Sequence, residues 1–153
     1  MEHSYFPIFT DLSEKSIVVI GAGQIAARRV KTLAGFSSFI TVIAPEIADE
    51  LKALAEEGRV RILERGFAES DLDGADMVLA ATNDGDLNSR ICRLCRERHI
   101  LFNNAGDQTD CDFFFPGVVR KDSIVVGVTA GGLDHRKARE ITGKIRKLLE
   151  EEL

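Results

Sequence analysis

Ser16-Ile17-Val18-Val19-Ile20-Gly21-Ala22-Gly23-Gln24-Ile25-Ala26 passes from a short apolar run, through two glycines, into small residues at helical spacing. The run has the length and composition of a buried strand. Gly21 suits a tight turn, Gly23 lets backbone approach a pyrophosphate, and Ala26 lets a helix pack closely against the strand. The helix that opens there aims its first N–H groups, and the positive end of its dipole, at whatever occupies the turn. The spacing is that of a dinucleotide-binding turn, with Gly21, Gly23, Gln24 and Ile25 as candidate cofactor-binding residues. In this strand–turn–helix setting the signal is far stronger than the bare glycine spacing.

Outward from the turn, Ile25, Ala26, Val30 and Leu33 continue the helical period, and Gly35 is a plausible stop. Residues 39–43 read as the second strand, 47–57 as a helix, 59–63 as a short strand and 77–81 as a buried strand. A further helix follows with Leu87, Ile91 and Leu94 on its stripe and Asp86 or Asn88 as its cap, and then a strand over 99–102. Alternating strands and helices predict a Rossmann-like parallel sheet with helices on both faces and a ligand crevice at the strands' carboxyl ends. Thr82 and Asn83, leaving the strand over 77–81, form the expected second wall of that crevice. The acidic residue usual at the end of the second strand is absent; Ala44 stands there, and Glu46 is the candidate for the ribose. No nearby arginine marks a 2′-phosphate site, so the expected cofactor is NAD.

The pattern changes after Asn103. Residues 113–119 and 124–128 flank Arg120-Lys121-Asp122-Ser123, a hairpin connection, and 134–151 form an amphipathic helix with Ala138, Ile141, Ile145, Leu148 and Leu149 on one stripe. The predicted domains are therefore 1–112, nucleotide-binding, and 113–153, a small α+β unit.

Twenty Lys and Arg against 25 Asp and Glu give a net charge of −5, which argues against bulk nucleic-acid binding. No apolar run approaches the ~20 residues of a membrane span, and no basic start followed by an apolar stretch marks a secretion signal. Three cysteines without framework spacing suit a reducing cytoplasm. Between Arg120 and Lys147, however, eight basic residues face three acidic ones. Such an excess in an acidic chain fits an anionic ligand or a solvated helix face. Cys92-x-x-Cys95 has metal-ligand spacing but lies in a predicted helix without a second pair, so core packing is the preferred reading, and no metal site is expected. Cys111 is expected to pack, His99 reads as structural, and His3 lies near the terminus. Phe113, Phe114 and Phe115 offer rings to a flat ligand, although a strand would turn only some of them to one face.

Taken together, Phe6-Pro7-Ile8-Phe9, Val18-Val19-Ile20-Gly21-Ala22-Gly23, Ala80-Ala81-Thr82-Asn83-Asp84 with Asn88, Cys111-Asp112-Phe113-Phe114-Phe115-Pro116 and Gly131-Gly132 resemble the precorrin-2 dehydrogenase / sirohydrochlorin ferrochelatase family. The resemblance runs in order through essentially the whole chain. It implies a Rossmann domain and a small dimerisation domain, hence a homodimer, and commonly a further helical domain that would lie beyond Leu153. It implies NAD-dependent oxidation of precorrin-2 to sirohydrochlorin in sirohaem biosynthesis, and in some members insertion of ferrous iron. The substrate's eight carboxylates then give Arg120, His135, Arg136 and Arg139 a role as substrate-binding residues.

Two departures from the family pattern bear on chemistry. The position of the family's important aspartate is Gly106 here, with Asp107 next to it. Asp107 is the catalytic candidate, and a purely structural turn aspartate is the alternative. Where family members often carry Ser-Pro, this chain has Asp134-His135, and His135 is open to a base, an iron-ligand, a carboxylate-binding or a plain helix-start role. Loss of the aspartate also keeps open a second function, an NAD(H)-sensing dimeric regulatory module without catalysis.

Overall fold

The computed structural model describes residues 4–152, which leaves His3 outside the described residues. The described residues divide into two compact units, one of Thr10–Phe113 and one joining residues 4–9 to residues 114–152.

The larger unit is a five-stranded parallel sheet. Its strands are β1 (Ile17–Ile20), β2 (Ile40–Ile43), β3 (Arg61–Leu63), β4 (Met77–Ala80) and β5 (Leu101–Asn104), in spatial order β3-β2-β1-β4-β5. The helices α1 (Gln24–Leu33), α2 (Asp49–Glu56) and α3 (Gly85–Glu97) connect them, with a 3-10 turn at Glu69–Leu72. This is a Rossmann-like arrangement, in which strand order reverses between β1 and β4. Every residue of β1 and β4 is buried, as strands covered on both faces require. Val18 and Ile20 join Val78, Ala80, Phe102, Ile91, Cys92 and Cys95 in one core cluster. Ile17 and Val19, also buried, point to the opposite face by strand alternation.

The register aligns the carboxyl ends: Ile20 pairs with Ile43 and with Ala80, and Ala80 with Asn104. Whatever leaves these four positions is brought to one edge of the sheet.

Several boundaries differ from those expected. The cap of α3 is Asp84, whose Oδ1 accepts from the N–H groups of Asp86 and Leu87 at 3.0 and 3.1 Å. Asp86 sits in the first turn, and Asn88 is turned inward and buried. The strand expected over 99–102 starts at Leu101, because His99 takes a left-handed φ of +56° and closes α3. Its amide reaches the Arg96 carbonyl, and that of Ile100 reaches the Cys95 carbonyl.

In the smaller unit, β6 (Gly117–Lys121) and β7 (Ile124–Val128) form an antiparallel hairpin, with Asp122 at φ +53° in the turn. The strand expected over 113–119 therefore begins only at Gly117; Pro116 has no N–H to give to a ladder. Helix α4 (His135–Glu152) packs on the hairpin, with Thr142 buried against Gly117 and the Asp134 carboxylate accepting from the Lys137 amide at 2.9 Å. The expected allocation of the first residues to the nucleotide-binding unit is corrected: residues 4–9 group with the smaller unit. Tyr5 packs edge-on against Phe114 with ring centroids 4.4 Å apart, which gives the segment a nonlocal aromatic anchor there.

Cys92 and Cys95 are wholly buried in the core, and no group of three or more metal-binding side chains occurs among the described residues. Burial pushes the Cys92 thiol up to about 12 and the Cys95 thiol up to about 11, from an ordinary value of 9.0. Both folded-state values are raised. The stability tied to keeping these thiols neutral is thus fully present below about pH 9 and is lost as pH climbs through the folded values. Chemical denaturation is expected to show stability falling above about pH 9, and more steeply in the native protein than in a Cys92→Ala, Cys95→Ala double variant. Iodoacetamide applied to native protein should modify partly buried Cys111 before either core cysteine.

Candidate functional site

The turn between β1 and α1 is built for close approach. Gly21 has φ +110°, and a Cβ there would overlap the Ala81 carbonyl and lie 2.8 Å from the Thr82 nitrogen. Only glycine permits both the backbone angle and the contact. Gly23 is different: a Cβ there would meet nothing within 4 Å. It stands at the N-cap of α1 with extended backbone and no side-chain cap, and the first intrahelical bond runs from Ala27 N to Gly23 O. The N–H groups of Gln24, Ile25 and Ala26 consequently have no acceptor within the helix. With no acidic residue in that first turn, the helix presents a positive, donor-lined end.

A cavity of about 560 Å³ opens at this end of the sheet, within the ~300–1,000 Å³ of small-molecule sites. Gly21, Gly23, Glu46, Thr82 and Asn83 line it. Gln24 and Ile25 do not; their side chains are exposed, and their contribution is main-chain N–H. Glu46 is the single charged side chain among the described residues that line the cavity. Three further walls escaped the reading of the sequence: Ile47 with Ala48 at the start of the α2 segment, Gly66 with Phe67 after β3, and Leu87 on α3. The Ala48 amide donates to the Ala22 carbonyl at 3.0 Å, tying that segment to the glycine turn. The turn beyond Phe67 is fixed by Arg65, which grips Asp71 with bonds of 2.9 and 2.7 Å. That hydrogen-bonded guanidinium holds the Asp71 carboxyl below the usual carboxylate range. A mostly apolar lining with one carboxylate, an open glycine and an uncapped helix start suits a dinucleotide: pyrophosphate at α1, ribose hydroxyls at Glu46.

At the end of β5 two asparagines are buried for structural reasons. Asn103 accepts from Arg29 and donates to the Phe113 carbonyl at 2.7 Å, while Asn104 Oδ1 accepts from the Gly106 amide at 3.0 Å. Together they hold the loop that carries Asp107. The exposed Asp107 carboxylate accepts from the Thr109 amide at 2.9 Å and from its hydroxyl at 2.6 Å. Those two bonds keep its pKa below the ordinary aspartate value, so it is ionised at neutral pH. A Cβ at Gly106 would sit 3.4 Å from Asn88 Nδ2, an ordinary contact. In the smaller unit, Arg120 is exposed on β6, and His135, Arg136 and Arg139 are exposed in the first turns of α4.

Comparison with known proteins follows this architecture. The family model titled "Putative NAD(P)-binding" matches residues 8–117. A siroheme synthase of Pseudoalteromonas atlantica is 36% identical over 145 residues, covering 95% of this chain and 31% of that protein. A siroheme synthase of Zymomonas mobilis is 34% identical over 149 residues, covering 97% and 32%. The chain thus spans about a third of the length of these curated relatives. A solved structure titled "SirC, precorrin-2 dehydrogenase" superposes with a TM-score of 0.80 at 24% identity, over 94% of this chain and 70% of that one, and shares the fold.

The two glycines are expected to fail differently when changed. Gly21→Ala should lose about 2–4 kcal/mol of stability in denaturant melts through strain and overlap with the Ala81 carbonyl. Gly23→Asp should keep native stability, since aspartate is a good N-cap and the space is open. It should nonetheless lose NAD⁺ binding by titration calorimetry, because its carboxylate takes the donors and repels the pyrophosphate. Near-native affinity in Gly23→Asp would remove the pyrophosphate from this turn.

Proposed function

The chain belongs to the NAD(P)-binding family whose model spans residues 8–117, and from that premise we propose that it is the dehydrogenase portion of a sirohaem-forming system, oxidising precorrin-2 to sirohydrochlorin with NAD⁺. The observation that carries the reading is similarity to siroheme synthases over 95% or more of the chain, through the glycine crevice and on into the basic final helix. The SirC precorrin-2 dehydrogenase likeness supports the same fold for that chemistry.

NAD⁺, when bound, supplies the hydride acceptor. The chain's own part is to bind and orient. Backbone N–H groups at the start of α1 hold the pyrophosphate, and Glu46 engages ribose hydroxyls. Its charge disfavours a 2′-phosphate, and Arg65, beside lining residue Gly66, is already held by Asp71. NAD is therefore the preferred cofactor over NADP. Precorrin-2 is a polycarboxylate, and Arg120, His135, Arg136 and Arg139 are the side chains we assign to its acidic groups. Asp107 is assigned the proton lost in the oxidation, its carboxylate kept ionised by Thr109. Such a depressed pKa makes it a weak base, so hydride positioning rather than proton abstraction bears most of the rate.

We further infer a homodimer joined through the smaller unit. On α4, Ile141 and Leu148 are 39% and 54% exposed, and Leu133 just before it is 85% exposed; a second copy would cover them. Among the described residues no helix is long and apolar enough to cross a membrane, and the three free thiols suit the cytoplasm.

Gly106, where the family carries its aspartate, favours one other reading: an NAD(H) sensor without chemistry. An anaerobic assay with enzymatically made precorrin-2 and NAD⁺ separates them. Stoichiometric NADH and sirohydrochlorin support the dehydrogenase, and ferrous iron added afterwards reports on chelation by the same chain. NAD⁺ binding without product supports the sensor. Asp107→Ala should lower turnover by about ten- to a hundredfold with NAD⁺ affinity unchanged; an unchanged rate removes Asp107 from the mechanism.

A further inference from the structure

We propose that Asn88 is a positioning residue for the dinucleotide, setting from behind the wall of the crevice that Gly21 meets from the front. The proposal rests on NAD(H) occupying the glycine crevice. Asn88 lies on α3 and is only 2% exposed, beside a core face of Ile91, Cys92 and Cys95. A buried carboxamide is costly unless its polar atoms are satisfied. Here they are satisfied by one residue. The Thr82 amide donates to Asn88 Oδ1 at 3.1 Å, the Thr82 hydroxyl donates to the same oxygen at 2.6 Å, and Asn88 Nδ2 donates to the Thr82 carbonyl at 3.1 Å. A leucine there would hold nothing.

What Asn88 holds is the peptide that matters. The Ala81 carbonyl and the Thr82 nitrogen belong to one peptide group, the group a Cβ on Gly21 would overlap. Its Thr82 N–H is the donor taken by Asn88. One peptide plane therefore stands between the glycine turn and the asparagine, at the point where strand order reverses, and Ala81, Thr82 and Asn83 all line the cavity. If that plane rotates, the wall facing the cofactor moves with it. Both hands of the amide are needed, an acceptor for Thr82 N–H and a donor for Thr82 C=O.

Asn88→Asp tests this through its protonation state. At a position this buried, desolvation disfavours the carboxylate and raises the carboxyl's pKa from its ordinary ~3.9 towards the lower pH of the test. The neutral form reproduces the pattern: its carbonyl oxygen accepts from Thr82 and its O–H donates to the Thr82 carbonyl. An ionised carboxylate sets a second acceptor against that carbonyl. NAD⁺ dissociation constants would be measured by calorimetry for the unaltered protein, Asn88→Asp and Asn88→Ala at about pH 5.5 and about pH 8. Asn88→Asp should bind within about threefold of the unaltered protein at the lower pH and about tenfold or more weakly at the higher. Asn88→Ala, which adds no charge, should be weaker by about tenfold at both, so charge repulsion alone cannot produce the pattern. Folded Asn88→Ala with unaltered affinity, or Asn88→Asp as tight as the unaltered protein at about pH 8, overturns the proposal. If Asn88→Ala does not fold, the two affinities of Asn88→Asp decide. Failure of the unaltered protein to bind NAD⁺ overturns the cofactor reading and this inference with it.

Discussion

The closeness of two backbones sets the geometry of the larger unit's functional edge. Gly21 lies against the peptide joining Ala81 to Thr82 so tightly that a single methyl group would not fit. That approach is possible because β1 and β4 are paired neighbours in register, Ile20 with Ala80, and diverge just beyond that pair. The chain leaving β1 turns into α1, and the chain leaving β4 turns into α3. The gap left between them opens onto the start of α1, whose first N–H groups have no acceptor within the helix.

Electrostatics and burial then divide the labour. The start of α1 carries no acidic side chain, and Glu46 stands across the cavity from a wall of small and apolar residues. Polar groups that would be costly inside are all spoken for: Asn88 by Thr82, Asn103 by Arg29 and Phe113, Asn104 by Gly106. Among the described residues no buried side-chain nitrogen or oxygen lacks a partner. Asn103 and Asn104 thereby tie down the loop after β5 that carries Asp107, and Thr109 keeps that carboxylate turned to its own backbone.

The strand–turn–helix was legible in the sequence because its residues admit few other readings: an apolar run followed by Gly-x-Gly and a small residue satisfies strand, turn and helix at once. Strands β2 and β4 were legible for the same reason, as short apolar runs closed by turn residues. Asn88 was not. An asparagine near a helix start reads locally as a cap, and only the path of the turn from β4 into α3, which brings Thr82 beside it, makes it a clamp. Gly66 and Phe67 were missed because nothing local says that the chain leaving β3 reaches the crevice; the order of strands decides it. The run of three phenylalanines suggested an early strand, yet the hairpin waits until Pro116 is past. Residues 4–9 were assigned to the wrong unit, since their partner, Phe114, lies more than a hundred positions away in sequence.

The most direct test of a cofactor held at the glycine turn is a titration of ¹⁵N-labelled protein with NAD⁺, followed by amide NMR. The account predicts the largest shifts at Gly21, Gly23, Gln24, Ile25 and Ala26, a second group at Ala81, Thr82 and Asn83, and weaker changes near Glu46. Saturable binding with those amides unmoved, and shifts gathered elsewhere, would contradict it.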